Sequence, residues 1–202
     1  TITGGSAADT VTLAGSLTTN MTVDLGGGND RLTLAAGGNT GSITNTETTI
    51  GGSGADVLTL GAAVSNASLD LGAGSDTLTL ANATNSASIG NVETLTGGTG
   101  SDTIVLTTGL NTAMSIDLGT GGNKLTLANT AGTGSVSNVG TLIGGSAADV
   151  VTFATSLSSG SIDLAAGSDA VTLETGGNSA TVANVETVTG NTGADAVTLT
   201  VA

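Results

Sequence analysis

The sequence predicts an all-β parallel solenoid, and three observations predict it. Nine glycine-rich loops recur along the chain, marked by Asp9, Asp30, Asp56, Asp76, Asp102, Asn123, Asp149, Asp169 and Asp195. Short steps, such as Asp56 to Asp76, alternate with long ones, such as Asp30 to Asp56. After each loop, apolar and hydroxyl side chains alternate over a short run, the period-2 pattern of a half-buried strand. The third observation is compositional: Trp, Tyr, His, Cys and Pro are absent, Phe153 is the only aromatic, and Gly supplies 34 of 202 residues. A core of Leu, Ile, Val and Ala alone is thin, and closes best when like residues stack on like residues turn after turn. One short and one long step together define a repeating unit, as from Asp30 to Asp76 or from Asp102 to Asp149. Read as two turns per unit, the chain is a single repeat domain over residues 1–202 with about nine turns of two strands, each turn having from roughly 20 to roughly 26 residues.

The elements follow in order. The strand after each loop presents two apolar residues to one side: Val11 and Leu13, Leu32 and Leu34, Leu58 and Leu60, Leu78 and Leu80, Ile104 and Leu106, Leu125 and Leu127, Val151 and Phe153, Val171 and Leu173, Val197 and Leu199. A second strand set fills the intervals in two alternating forms. One is MTVDL, ASLDL, MSIDL and GSIDL, ending at Leu25, Leu71, Leu118 and Leu164; the other is SITNTETTI, SIGNVETLT, SVSNVGTLI and TVANVETVT, each read as one strand running into the next loop. A propeller blade of this length would also carry about four strands. Blades usually carry aromatics, however, and no ring-closing signature is present, so stacked coils fit better. Parallel strands stack about 4.8 Å apart, which makes nine turns a rod roughly 40 Å long.

Charge narrows the partners. The net charge is −14, with Arg31 and Lys124 the only basic residues, so the field repels nucleic acid and anionic membranes. No run approaches the length of a membrane-spanning helix, so membrane insertion is not expected. The first residues, TITGGSAADT, begin within the repeat and without Met, and the chain is expected to be a segment of a longer one. Uncapped terminal turns would expose strand edges, which a continuing chain or an end-to-end copy would cover; other surface proteins or glycans are the remaining expected partners.

Fifteen of the sixteen acids follow the repeat: eight loop aspartates, then Asp24, Asp70, Asp117 and Asp163, and Glu47, Glu93 and Glu186; Glu174 alone falls outside it. Stacked carboxylates about 5 Å apart repel by roughly 3 kcal/mol per pair at an effective dielectric of 20. A hard divalent cation removes that repulsion, since calcium takes six to eight oxygens and accepts backbone carbonyls with carboxylates. Flexible glycines are read as turning those carbonyls inward. The expected ligand set is Gly26, Gly28 and Asp30; Gly51, Gly52, Gly54 and Asp56; Gly72, Gly74 and Asp76; Gly97, Gly98, Gly100 and Asp102; with Asp9, Asp149, Asp169 and Asp195 in weaker loops. Asp24, Asp70, Asp117 and Asp163 are expected to point into solvent, and Asn91, Asn138 and Asn184 to stack as an asparagine ladder.

GGSGADVLT (51–59) and GGTGSDTIV (97–105) match the nonapeptide G-G-x-G-x-D-x-U-x in full, and LGGGNDRLT (25–33) and LGAGSDTLT (71–79) depart only at the first position. Weaker copies are GGSAADTVT (4–12), GGSAADVVT (144–152), LAAGSDAVT (164–172) and GNTGADAVT (190–198), and LGTGGNKLT (118–126) replaces the acid with Asn123. The whole chain thus resembles the RTX family of haemolysin-type calcium-binding repeats. That resemblance implies Ca²⁺ as the cofactor and a parallel β-roll within a large, secreted bacterial protein. It differs in one expectation: the family places motifs on both edges of an 18-residue turn, whereas one motif per longer turn implies ions along one edge. Ala7, Ala147 and Ala165 in place of Gly imply weak or empty sites.

Three functions compete. A calcium-rigidified extracellular element, such as a surface layer, adhesin stalk or filament, fits a ladder that supplies length and stiffness. An ice- or crystal-binding face would use Thr12, Thr33, Thr59, Thr79, Thr126, Thr152, Thr172 and Thr198 as one outward rank, but its neighbouring rank is irregular. A module of a polysaccharide-active enzyme is the third; acids copied from turn to turn fit architecture better than one catalytic pair with split pKa values. No catalytic residue is expected.

Overall fold

The computed structural model describes residues 1–200. Short parallel strands alternate between two eleven-stranded sheets, a front sheet beginning with Ile2–Thr3 and a back sheet beginning with Thr10–Thr12. Successive strands of one sheet are separated by one strand of the other, so the chain winds through about ten turns of a two-sided parallel β-solenoid. The apolar alternation builds the interior as expected. On the front side Leu58 stacks on Leu78, then Leu95, Ile116, Val136 and Phe153; on the back, Ile104 stacks on Leu125, Leu142, Ile162 and Val182. All of these side chains are buried in one continuous core.

The turn is shorter than the loop spacing implied. Ile43 pairs with Leu60, Leu58 with Leu78, and Leu95 with Ile116. Hydrogen bonds that the loop aspartates make to adjacent turns show the same three separations in sequence, |i−j| of 17, 20 or 21. No turn is as long as the step from Asp30 to Asp56. That long step is three half-turns, because SITNTETTI is two strands, Thr40–Thr44 and Thr48–Gly52, with a corner at Asn45. Asn45, Asn91, Asn138 and Asn184 all adopt left-handed φ of 51° to 57°. Asparagine tolerates that conformation, and here it bends what looked like one strand.

Each repeating unit therefore spans five strands, or two and a half turns, rather than two turns. From Asp30 to Asp76 the chain runs through Arg31–Thr33, Thr40–Thr44, Thr48–Gly52, Val57–Leu60 and Ala67–Gly72. Consecutive units land on opposite edges, and the sequence returns to the same edge only after two units, as from Asp9 to Asp102. The expected single edge of motifs is thus corrected: acids occupy both edges. The threonine rank divides for the same reason. Thr12, Thr33, Thr126 and Thr198 lie on back strands, Thr59, Thr79, Thr152 and Thr172 on front strands.

Glycine is required where turns touch. Gly26, Gly72 and Gly119 begin equivalent corners at φ of 85°, 87° and 68°, and a Cβ on Gly72 would collide with the Gly52 carbonyl of the turn below. Ala165 holds the same position at φ 64°. The inter-turn bond after it, Ala166 N–H to Gly145 O, is 3.3 Å, against 3.0 Å for Ala73 to Gly52 and 2.8 Å for Gly27 to Gly5. Left-handed backbone costs a non-glycine residue about 1–2 kcal/mol. Replacing Ala165 with Gly is expected to raise unfolding stability by about 1 kcal/mol after the entropy of the added glycine. Chemical denaturation checks this; an unchanged or lower midpoint would refute it.

Candidate cation-binding ladders

We call the edge where the chain passes from front to back sheet the outgoing edge, and the other the return edge. Asp9, Asp30, Asp102, Asn123 and Asp195 precede back strands on the outgoing edge; on the return edge Asp56, Asp76 and Asp169 precede front strands and Asp149 begins one. Six of the eight predicted aspartates therefore come together in pairs on adjacent turns, while Asp102 stacks with Asn123 and Asp195 with Asn178. Each carboxylate Oδ1 accepts the backbone N–H of the residue one turn below: Asp9 N donates to Asp30 (2.7 Å), Asp56 N to Asp76 (2.7 Å), Asp149 N to Asp169 (2.7 Å).

Sequence reasoning missed the residues that extend these pairs. Below them, buried Asn39, Asn85 and Asn178 donate both the backbone N–H and Nδ2 to Oδ1 of Asp56, Asp102 and Asp195. Gly132 holds the corresponding place under Asp149 and donates only its N–H. Above them, Glu47, Glu93 and Glu186 accept the N–H of Asp30, Asp76 and Asp169 at 2.7, 2.8 and 2.6 Å. Three ladders thus carry carboxylates on three consecutive turns: Asp9, Asp30, Glu47; Asp56, Asp76, Glu93; and Asp149, Asp169, Glu186. The usable signal was that these asparagines recur with the period of the repeating unit, which identifies them as rungs rather than loop residues.

The second carboxylate oxygen distinguishes the sites. Oδ2 of Asp30, Asp56, Asp76, Asp102 and Asp169 is buried with no hydrogen-bond partner. In the two GGSAAD loops the carboxylate closes on its own loop instead, with Gly5 N donating to Asp9 Oδ2 (3.0 Å) and Gly145 N to Asp149 Oδ2 (3.4 Å). Asp195, on the last turn, is half-exposed. The glycines act mainly by close approach: a Cβ on Gly51 or Gly97 would meet the Leu71 or Leu118 carbonyl, on Gly52 the Ala35 carbonyl, on Gly54 the Gly38 backbone, and on Gly98 the Asn82 side chain. Gly28, Gly74 and Gly100 adopt φ of 144°, 154° and 129° against the neighbouring loop.

Asn123 shows what the orphaned oxygens lack. Its Oδ1 accepts Asp102 N–H at 2.9 Å, as each aspartate does, while its Nδ2 donates to the carbonyls of Leu118 (3.1 Å), Gly119 (3.0 Å) and Asn138 (3.0 Å). Asp30, Asp76 and Asp169 occupy the equivalent position in the other units. By the repeat, the carbonyl counterparts around Asp76 are those of Leu71, Gly72 and Asn91. An amide NH₂ satisfies such carbonyls; a carboxylate oxygen repels them. At Asn123 the partner acid is lost as well, since Gly140 stands where the other units place Glu. An oxygen-only set of carboxylate and carbonyls with an unpartnered buried Oδ2 fits a hard divalent cation such as calcium.

Burial pushes the Asp76 carboxyl above its ordinary 3.8; the Asp56 N–H offsets this, and the charges of Asp56 and Glu93 add to it. Burial likewise raises Asp149, offset by the N–H groups of Gly145 and Gly132 and reinforced by the Asp169 charge. A carboxyl with a raised folded pKa binds protons more tightly when folded, so its stabilising contribution is present at low pH and fades as pH rises through the folded value. The metal-free protein is therefore expected to melt higher as pH falls from neutral toward 3.8, the opposite of ordinary acid denaturation. Thermal melts in chelator across that range check the sign.

The remaining acids are structural. Oδ1 of Asp24, Asp70, Asp117 and Asp163 accepts Nδ2 of Asn45, Asn91, Asn138 and Asn184 at 2.6 to 2.7 Å, and also the N–H two residues ahead. These aspartates staple corners across turns rather than merely facing solvent, and the asparagines pair with them instead of stacking on one another. Glu174 accepts Thr175 Oγ1, Gly176 N and Ser156 Oγ, which hold its carboxyl down at about 2. It braces a corner where the other units carry Ala35, Ala81 and Ala128.

No protein-family model matches this sequence, and no match is found among curated proteins or solved structures. The case for a function therefore rests on the ladders themselves.

Proposed function

We propose that this chain is a calcium-stabilised structural module of an extracellular or cell-surface assembly, of the surface-layer, stalk or filament kind. The supporting observation is the set of five buried, partnerless carboxylate oxygens set against the one rung, Asn123, where an amide meets the same surroundings with its two N–H groups shared among three carbonyls. Calcium would be held by Asp30, Asp56, Asp76, Asp102 and Asp169 with neighbouring backbone carbonyls, and Glu47, Glu93 and Glu186 would add charge beside it. Cation supply would then set rigidity: a chain loose where calcium is scarce would close where it is abundant, because binding free energy adds to folding free energy. The repetition of one arrangement along the rod favours length and stiffness over a single pocket.

Isothermal titration calorimetry of the chelator-stripped protein tests the reading. Saturable calcium binding, with heat lost in Asp30→Asn/Asp76→Asn/Asp169→Asn, is the expected result. Absence of binding at millimolar calcium would overturn it.

A further inference from the structure

The two faces differ although the repeat treats them alike. Equivalent residues alternate between sheets, yet both basic residues, Arg31 and Lys124, begin back strands. Their counterparts on the front sheet are Thr77 and Ala170. Ile50 and Ile143 lie on the back sheet where the front carries Thr96 and Thr189, and exposed Val57 and Val150 lie on the front. The members of each pair are two units apart, which is five turns, or about 24 Å of rod.

The charges are also placed to meet. Asp24 ends a front strand at the outgoing edge, and Arg31 starts the back strand of the same turn at the same edge. Asp117 and Lys124 repeat this arrangement five turns later. Moving a copy sideways by one solenoid thickness therefore sets its Asp24 against Arg31 and its Asp117 against Lys124, at one height and one edge. At the return edge the same shift brings Val57 and Val150 within one rung of Ile50 and Ile143. A two-fold back-to-back contact lacks this match: an axis across the rod sets outgoing edge on outgoing edge, away from Asp70 and Asp163 at the return edge, and an axis along the rod leaves those acids two turns above Arg31 and Lys124.

We propose that the back sheet is a docking surface for the front sheet of a second copy of this chain, in parallel register. Such a front-to-back contact is heterologous and does not close, so it propagates into a flat row of rods. Each face measures about 48 Å by about 13 Å, or ~600 Å² per partner, at the low end of specific interfaces. The net charge of −14 opposes association, so rows form at high local concentration and with the charge screened. The inference does not require calcium to be the bound cation.

The absence of cysteine permits a direct test. Thr152 on the front and Ser161 on the back lie on one turn and are both exposed. When equal amounts of the Thr152→Cys and Ser161→Cys proteins are mixed at high concentration and oxidised, the mixed disulfide is expected to form well above the share that random pairing gives. Predominant Ser161→Cys homodimers, or only chance proportions, would overturn the front-to-back contact. In sedimentation velocity, Arg31→Glu/Lys124→Glu is expected to weaken self-association by about tenfold or more. Unchanged association of that variant, with an unchanged circular dichroism spectrum, would equally defeat the proposal. Calcium calorimetry on the same variant separates this outcome from failure of the metal sites.

Discussion

Saturating calcium is expected to raise the thermal midpoint by roughly 20 °C over the chelated protein, a figure built from three sites. A ligand at a hundredfold excess over its dissociation constant contributes about 2.7 kcal/mol per site. Ions at three of the proposed carboxylate–carbonyl sites would therefore add about 8 kcal/mol, and each kcal/mol moves the midpoint of a chain this long by about 2–4 °C. The ion would also offset the repulsion between buried acids on adjacent turns. Differential scanning calorimetry with calcium, magnesium and chelator reads the effect directly. Equal midpoints in all three would rule out a stabilising ion. A rise with magnesium alone would reassign it, because magnesium demands a tighter octahedral shell.

Asp76→Asn is expected to change the sign of its effect with calcium. Without the ion, the new amide should repeat Asn123: Oδ1 keeps the Asp56 N–H, and Nδ2 reaches the carbonyls of Leu71, Gly72 and Asn91 in place of an unpartnered oxygen. Relieving a buried unsatisfied group is worth about 1–3 kcal/mol, so the chelated variant should be more stable than the parent by that amount. With calcium at a thousandfold excess over its dissociation constant, the variant forfeits about 4.1 kcal/mol, which exceeds that gain and should leave it below the parent by about 1–3 kcal/mol. Denaturant titrations in both conditions form the test. A variant destabilised to the same extent in both would mean that the carboxylate is only a structural acceptor. The reciprocal change, Asn123→Asp, is a useful companion, since it removes the amide N–H groups from three carbonyls without restoring the missing Glu at Gly140.

The strand pairs after each loop, the inward residues and the acid register could be read from the sequence because each obeys a local rule: alternation, or a glycine loop before a carboxylate. The turn length could not. Aligning on acids treats Asn39, Asn85 and Asn178 as loop polar residues, whereas in the folded chain their amides occupy rungs of the same ladders. Asn45 and its counterparts hid a corner, because left-handed backbone is a property of φ and asparagine also suits many other settings. Without the corner at Asn45 and its counterparts, three half-turns merge into one long step, and the two edges into one. The stacking of acid on acid does not depend on that error, since an aspartate's neighbours along the rod are fixed by the winding. Which of them keeps an oxygen free depends on loop closure at Gly5 and Gly145, which only the three-dimensional arrangement reveals.

The half-integral winding of the unit has a genetic consequence. Gain or loss of one such block by recombination would leave the interior intact yet rotate everything downstream by half a turn, exchanging its two surfaces. Paired blocks would lengthen the molecule while preserving the orientation of every exposed side chain. Length variants that retain a surface-dependent role should accordingly differ by even numbers of blocks, and engineered extensions should be spliced in the same way.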